Sequence, residues 1–90
     1  MNKDILHKVI EKWGPQIQIN KIQEEVLELA LALNQLNCPT KDKDKLEAAI
    51  YDELADVKIM MAQADILFDK ARIDERIKFK LERLQRRYFS

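Results

Sequence analysis

Four stretches of the chain place apolar residues three or four positions apart, which is the spacing of a helix with one buried face. The first stretch runs roughly from Lys3 to Trp13 and is followed by Gly14 and Pro15. Glycine suits the residue after a helix, and proline suits the first turn of the next one. The pattern therefore predicts two consecutive helices that meet at Gly14.

The second helix is predicted to run roughly from Pro15 to Leu36. It is followed by the clearest loop in the sequence, NCPTKDKDK, where Pro39 cannot continue a helix. Because this loop is short, the helices on its two sides are expected to pack antiparallel.

The third helix is predicted to open with a capping pair, Asp44 and Glu47, with Thr40 as the alternative cap. It runs to about Phe68. The boundary with the fourth helix is weak, because the segment DKARIDER contains neither glycine nor proline. We predict a short break near Lys70 to Ile73, with Asp74 as the candidate cap of the fourth helix. The apolar stripe then continues through Ile77, Leu81, Leu84 and Tyr88.

Composition agrees with an all-α fold. The chain has 90 residues, of which 47% are apolar and 36% are charged, with one Gly and two Pro. Few helix breakers and no alternating strand pattern favour a single domain, residues 1–90, built as a four-helix-bundle-like protomer. A chain this short buries only part of its surface alone, so we expect a homo-oligomer.

Overall charge excludes two classes of partner. The 16 basic and 16 acidic residues cancel, so no excess charge favours a nucleic acid polymer or a membrane surface. No apolar run approaches the roughly 18 residues of a membrane span, and the N-terminus lacks the apolar core of a signal peptide. We therefore expect a cytoplasmic protein.

The third helix places a carboxylate where a core residue is expected. Glu53 lies in the middle of its main apolar face, and Asp56 lies along the flank. Burial of an unpaired carboxylate costs free energy of folding. The position of Glu53 therefore indicates a functional role. The residues of that face are Leu46, Ile50, Val57, Met60, Ala64, Leu67 and Phe68. A second, weakly apolar strip is either an oligomer interface or a contact with the first helix: Ala48, Ala55, Ile59, Ala62 and Ile66.

The second helix carries one narrow polar seam among its leucines. The seam is either a solvent-facing stripe or a lined interior site. Glu25 and Glu28 alone favour the stripe, but a matching carboxylate pair on the next helix, Glu53 and Asp56, favours the interior site. The seam consists of Gln18, Lys21, Glu25, Glu28, Ala32 and Gln35.

A divalent cation would remove the repulsion within such a site. Converging carboxylates raise one another's pKa values, and Mg²⁺ takes oxygen ligands that it shares with substrate phosphates. Zinc is disfavoured, because His7 and Cys38 lie on different segments. A di-iron bundle would need Glu-x-x-His pairs, which the sequence lacks.

Two acidic motifs and their flanks resemble a known family. EEVLE at 24–28 and ELAD at 53–56 resemble the E-E-x-x-E and E-x-x-D signature of MazG-like nucleotide pyrophosphohydrolases. These all-α enzymes are related to dimeric dUTPases and dCTP pyrophosphatases. The flanking stretches KWGPQIQINKIQ, DVKIMMAQADILF and FKLERLQRRY are similar to the family as well, so the resemblance covers nearly the whole chain.

The resemblance implies a reaction and a set of site residues. A nucleoside triphosphate (NTP or dNTP) would be cleaved between its α- and β-phosphates, giving the monophosphate and pyrophosphate. Mg²⁺, with Mn²⁺ as the alternative ion, would bind Glu25, Glu28, Glu53 and Asp56. Glu24 and Glu25 would be the catalytic acids, with Glu24 assisting a second metal or positioning the attacking water. The family also implies a homodimer or a dimer of dimers.

The substrate-binding residues are candidates with alternatives. Lys21 and Gln18 share the acidic seam, and Lys21 binds the polyphosphate or acts as a counter-ion for the carboxylates. Trp13 could stack on a base, although core packing is the preferred interpretation. The basic side chains of the last helix either bind phosphate or form a solvated face: Lys80, Arg83 and Arg87. Family members often have Asn where this chain has Arg83.

A second function class stays open. A degenerate relative with the same helices could serve as a non-catalytic helical dimer, acting as an interaction module. The complete set of four carboxylates favours the enzyme over that alternative.

Overall fold

The computed structural model describes residues 1–39 and 42–89, which form four α-helices and one 3-10 turn. No strand occurs in these ranges, so the all-α prediction is confirmed. The helices are α1 (Lys3–Trp13), α2 (Pro15–Asn34), α3 (Lys43–Leu67) and α4 (Lys70–Phe89), and the 3-10 turn at Gln35–Asn37 prolongs α2.

The junction between α1 and α2 lies where the sequence predicts it. Gly14 has a φ of 89°, a conformation that residues with a side chain rarely adopt. Its amide donates a hydrogen bond of 2.7 Å to the carbonyl oxygen of Ile10, and Pro15 begins α2. The chain therefore turns between two helices with a single linking residue.

The cap of α3 differs from the prediction. Asp42 is the N-cap residue, and its Oδ1 accepts hydrogen bonds from the amides of Asp44 at 3.0 Å and Lys45 at 3.4 Å. Asp44 lies inside the first turn instead, and the side chain of Glu47 accepts a hydrogen bond from Tyr51. An aspartate one residue before the first helical position can reach two free amides, which an aspartate inside the turn cannot.

The alternative cap, Thr40, lies outside the described residues. The predicted cap of α4 is also wrong. Asp69 occupies that role, since its Oδ1 accepts from the amides of Ala71 and Arg72. Asp74 lies one turn inside α4 and forms an ion pair of 2.7 Å with Lys70.

Helices α2 and α3 form the centre of the protein. They pack along their length as an antiparallel hairpin, and α1 lies against both of them. The buried apolar side chains come from α1 and α3: Leu6, Leu46, Ile50 and Met60. Three of these belong to the predicted apolar face of α3, whereas Phe68 of that face is exposed because the helix ends at Leu67.

Helix α4 extends away from the other three. Among the described elements it contacts only α3, and none of its residues is buried. Its apolar stripe therefore faces solvent in the isolated chain. Within residues 1–39 and 42–89, no helix combines the length and the apolar character needed to cross a membrane.

We predict that Asp42→Ala lowers the free energy of unfolding by about 1 kcal/mol, because two amides at the start of α3 lose their acceptor. Asp44→Ala is the matched control, since it removes the same charge from the same turn without removing the cap. Chemical denaturation followed by circular dichroism measures both. An equal or larger loss in the Asp44 variant would contradict the assignment of the cap.

Candidate functional site

The polar seam of α2 faces a matching line of residues on α3. Both lines follow a spacing of three, four and three residues, which keeps side chains on one helix face. Because the helices are antiparallel, Glu25 lies near Asp56, and Glu28 lies near Glu53. The polar seam of α2, which the sequence predicts to line an interior site, therefore borders the interface between α2 and α3. The two lines are Gln18, Lys21, Glu25 and Glu28 on α2, and Glu53, Asp56, Met60 and Gln63 on α3.

Three of the four predicted metal ligands converge. One carboxylate oxygen from each of Glu25, Glu53 and Asp56 lies within 4.8 Å of the other two. Glu25 is 9% exposed, Glu53 is half-buried and Asp56 is exposed. We call these three residues the acidic triad. Glu28 stays outside this group of oxygens, and its side chain is exposed next to the triad.

Two oxygens of the acidic triad are buried without a partner. Among the described residues, no donor reaches the Oε2 atom of Glu25 or that of Glu53. A buried carboxylate oxygen without a donor is unfavourable, because it has lost its water and gained nothing in return. The chemistry of this donor set, three carboxylates with two unpaired oxygens, fits a hard divalent cation.

The pKa values of two triad members are raised by the same unfavourable environment. Burial raises the pKa of Glu25 above 4.5, and the charges of Glu28 and Asp56 raise it further, against a lowering by Lys21. The pKa of Glu53 is also raised, first by burial and then by the charges of Glu28 and Asp56. Both shifts arise because a negative charge is disfavoured in a partly dry, already negative environment.

Lys21 lies beside the triad and supplies the nearest cation. Its Nζ lies 3.8 Å from a carboxylate oxygen of Glu25 and 3.8 Å from one of Glu24. This geometry fits the counter-ion interpretation of Lys21. The side chain of Glu24 is 63% exposed, which places it off the seam, away from the triad oxygens.

An apolar groove of about 600 Å³ adjoins the triad at Lys21. It lies between α1, the start of α2 and the second half of α3. Three of the predicted substrate-binding residues line it together: Trp13, Gln18 and Lys21. Trp13 is 49% exposed, so the interpretation of this side chain as core is wrong. Ile59 of the second α3 strip lines this groove together with residues of α1, so part of that strip faces the groove beside the chain's own first helix.

The predicted basic residues of the last helix lie elsewhere. Lys80, Arg83 and Arg87 are exposed on α4, and none of them lines the groove. The charges that shift the pKa values of Glu25 and Glu53 come from α2 and α3. Within one described chain, the structure therefore does not bring these three residues to the triad.

Sequence reasoning missed one residue of this region, Gln63. It is 2% exposed and lies in the floor of the groove. A signal was present, because Gln63 follows Glu53 and Asp56 on the same face of α3 at the spacing that the α2 seam also shows. A polar residue in line with a carboxylate pair is a candidate for the same site.

The raised pKa values predict how stability changes with pH. Between 4.5 and the raised values, the folded protein binds more protons than the unfolded chain, so ionisation of Glu25 and Glu53 destabilises the fold. In the absence of divalent cations, the destabilisation caused by the two ionised carboxylates should therefore decrease as pH falls from neutral towards 4.5. The melting temperature should rise over that range by the amount that these two residues contribute.

The test compares the wild type with a Glu25→Gln, Glu53→Gln double variant in a chelator. The variant should be more stable than the wild type at neutral pH, and the difference should shrink as pH falls. Glu75→Gln, on the exposed face of α4, is the control. A difference between wild type and double variant that does not change with pH would contradict the electrostatic account.

Comparison with known proteins adds no relative to this picture. No protein-family model, no curated protein and no solved structure matches the chain. Membership of the MazG-like family therefore remains a prediction from the two acidic motifs and their flanks.

Proposed function

We propose that this protein is a divalent-cation-dependent nucleoside triphosphate pyrophosphohydrolase, which converts an NTP or a dNTP to the monophosphate and pyrophosphate. The observation that carries the proposal is the acidic triad of Glu25, Glu53 and Asp56 beside an apolar groove. A phosphate-binding metal site and a pocket for an uncharged, flat group are the two halves that a nucleotide requires.

The acidic triad would hold Mg²⁺, with Mn²⁺ as the alternative ion. The unpaired Oε2 atoms of Glu25 and Glu53 are the strongest support for this, because a cation would supply the partner that they lack. Glu28 lies close enough to raise the pKa of both residues, so it is the fourth candidate ligand. When bound, the ion would neutralise charge on phosphate oxygens and lower the pKa of a coordinated water.

The groove and Lys21 would bind the substrate for the reaction. The groove would hold the nucleoside and exclude water from it, with Trp13 at its rim. Lys21 lies at the end of the groove nearest the triad, where it would contact the polyphosphate once a cation takes over the charge of Glu25. In the reaction, water forms a P–O bond as the bond to the bridging oxygen between the α- and β-phosphates breaks, and pyrophosphate leaves.

The attacking water must lose a proton, and a carboxylate of the site would accept it. Glu24 and Glu25 are the two candidates. A cation bound at Glu25 would lower the pKa of this carboxylate, so the raised pKa of Glu25 without metal does not make it the better base. Glu24 is mostly exposed beside Lys21, which suits a role in positioning water or a second metal.

A homo-oligomer is part of the proposal. The stripe of α4 leaves large apolar side chains in water, and a second copy would bury them. These exposed residues are Ile77, Leu81, Leu84 and Tyr88. Since Lys80, Arg83 and Arg87 do not reach the triad of their own chain, phosphate contacts from them would require a partner protomer.

The enzyme is tested by incubating the protein with Mg²⁺ and a panel of common and modified dNTPs and NTPs, with detection of monophosphate and pyrophosphate. Glu53→Gln and Asp56→Asn should lose nearly all turnover while keeping the helical circular dichroism signal, because each removes a triad carboxylate. Asp52→Asn is the matched control, since Asp52 is an exposed neighbour on the same helix and outside the triad.

Two results would contradict the proposal, the first its reaction and the second its site. One is the absence of turnover for every nucleotide, together with no thermal shift on adding Mg²⁺ and nucleotide. The other is wild-type turnover in both triad variants. The first result would favour the second function class, a non-catalytic helical dimer, for which the exposed stripe of α4 is the favouring observation. The second result would contradict the acidic triad as the metal site of the enzyme.

The oligomer is tested separately by light scattering after gel filtration. A Leu81→Glu, Leu84→Glu variant should elute as a smaller species than the wild type, because two charges in an apolar interface are strongly unfavourable. Lys78→Glu and Lys80→Glu, on the same helix, form the control pair. An unchanged mass in the leucine variant would exclude α4 as the interface.

A further inference from the structure

The floor of the groove contains two buried glutamines among apolar side chains. Gln63 is 2% exposed and Gln18 is 5% exposed, and both line the groove together with Leu6 and Met60. The Oε1 atom of Gln63 is buried, and no donor among the described residues reaches it. Gln63 is thus a polar side chain at the bottom of an apolar groove, with its acceptor unused.

Stability alone does not explain this glutamine. A buried carbonyl oxygen without a hydrogen bond loses its hydration and is a net cost to folding. Methionine has nearly the same length and shape and carries no such penalty, and the next buried position on this face is already Met60. A buried, unused acceptor is instead what a binding site requires when the ligand brings the donor.

The surroundings of Gln63 restrict the class of ligand. The groove is lined mainly by apolar residues, and its volume of about 600 Å³ lies within the range of small-molecule sites. At one end lies Lys21, whose Nζ is 3.8 Å from Glu25 of the acidic triad. A ligand that occupies both places has a largely apolar body with an N–H donor, joined to an anionic group that binds metal.

A nucleobase joined through a sugar to phosphates meets these conditions. We propose that Gln63 determines base specificity, because its Oε1 accepts a hydrogen bond from an N–H on the edge of the base. This inference rests on the proposed function and names the substrate group that Gln63 would contact, an N–H on the edge of the base. A base with that N–H replaced by N-methyl brings no donor and adds a clash, so the site rejects it.

The experiment uses deoxynucleosides without phosphates and needs no metal, so it is independent of turnover. The intact, ¹⁵N-labelled protein is titrated with the four common deoxynucleosides and with an N-methylated form of any that binds. This form is methylated at the ring N–H of thymidine or deoxyguanosine, and dimethylated at the exocyclic amino group of deoxyadenosine or deoxycytidine. Trp13 is the only tryptophan and lines the groove, so its indole N–H resonance reports occupancy. At least one nucleoside should shift this resonance and the side-chain amide of Gln63, and its N-methylated form should bind at least tenfold more weakly.

The decisive variant is Gln63→Met. It should bind the nucleoside about tenfold more weakly, the effect of one lost hydrogen bond, and should no longer distinguish the N-methylated form by more than the added bulk. Its melting temperature in the absence of ligand should rise by several degrees, because the unused acceptor is gone. A purely structural glutamine would show the opposite change in melting temperature. Gln23→Met, at an exposed position of α2, is the control and should change neither quantity.

Three outcomes would overturn the inference. The first is that no nucleoside shifts the groove resonances. The second is that those resonances change on dilution alone, which would assign the groove to a second copy of the chain. The third is that Gln63→Met binds nucleosides as tightly as the wild type. Nucleoside binding that depends on Gln63 in a protein that hydrolyses no triphosphate would support this inference and contradict only the proposed reaction.

Discussion

The carboxylates at the interface of α2 and α3 repel one another, and the packing of the whole protein has to overcome that repulsion. The antiparallel arrangement of the two helices brings Glu25, Glu53 and Asp56 within reach of one cation. Burial and mutual charge raise the pKa of Glu25 and of Glu53, and Lys21 offsets only part of the effect on Glu25. The apolar contacts around them must therefore hold together a site that opposes its own assembly.

The apolar core that has to offset this repulsion is small. Its buried apolar side chains lie where α1 meets α3 and along α3 itself. Helix α1 completes this core and forms one wall of the groove. The same helices thus form both the core and the walls of the groove. Their packing fixes the position of the groove relative to the acidic triad. Helix α4 adds no buried residue to the single chain, so its stabilising contribution would come from an oligomer.

Gln63 and the triad belong to one pattern of unfavourable groups. Each contains a buried oxygen without a donor among the described residues: Oε2 of Glu25, Oε2 of Glu53 and Oε1 of Gln63. In the proposed function, a cation would satisfy the first two atoms, and an N–H of the ligand would satisfy the third. A protein that keeps such atoms unpaired loses stability in the free state and gains it when the ligand binds. The proposed substrate, a nucleotide with a bound metal ion, would satisfy the atoms at both ends of the site.

Local signals along the chain were enough to predict the helices and the polar lines that they carry. Gly14 followed by Pro15 marks the first boundary, and the spacing of three and four residues singles out Glu25 and Glu53, because each of these signals lies within one helix or one turn. Where two aspartates competed for one cap, the choice failed: Asp42 and Asp69 cap helices where Asp44 and Asp74 were predicted.

The burial of Gln63, the exposure of Trp13 and the separation of α4 from the triad follow from tertiary packing. They depend on how α1 crosses α3 and on where α4 leaves it. The periodicity of a single helix shows which residues share a face, but it does not show which other segment covers that face. For this reason the acidic residues could be identified from the sequence, whereas the groove beside them could not.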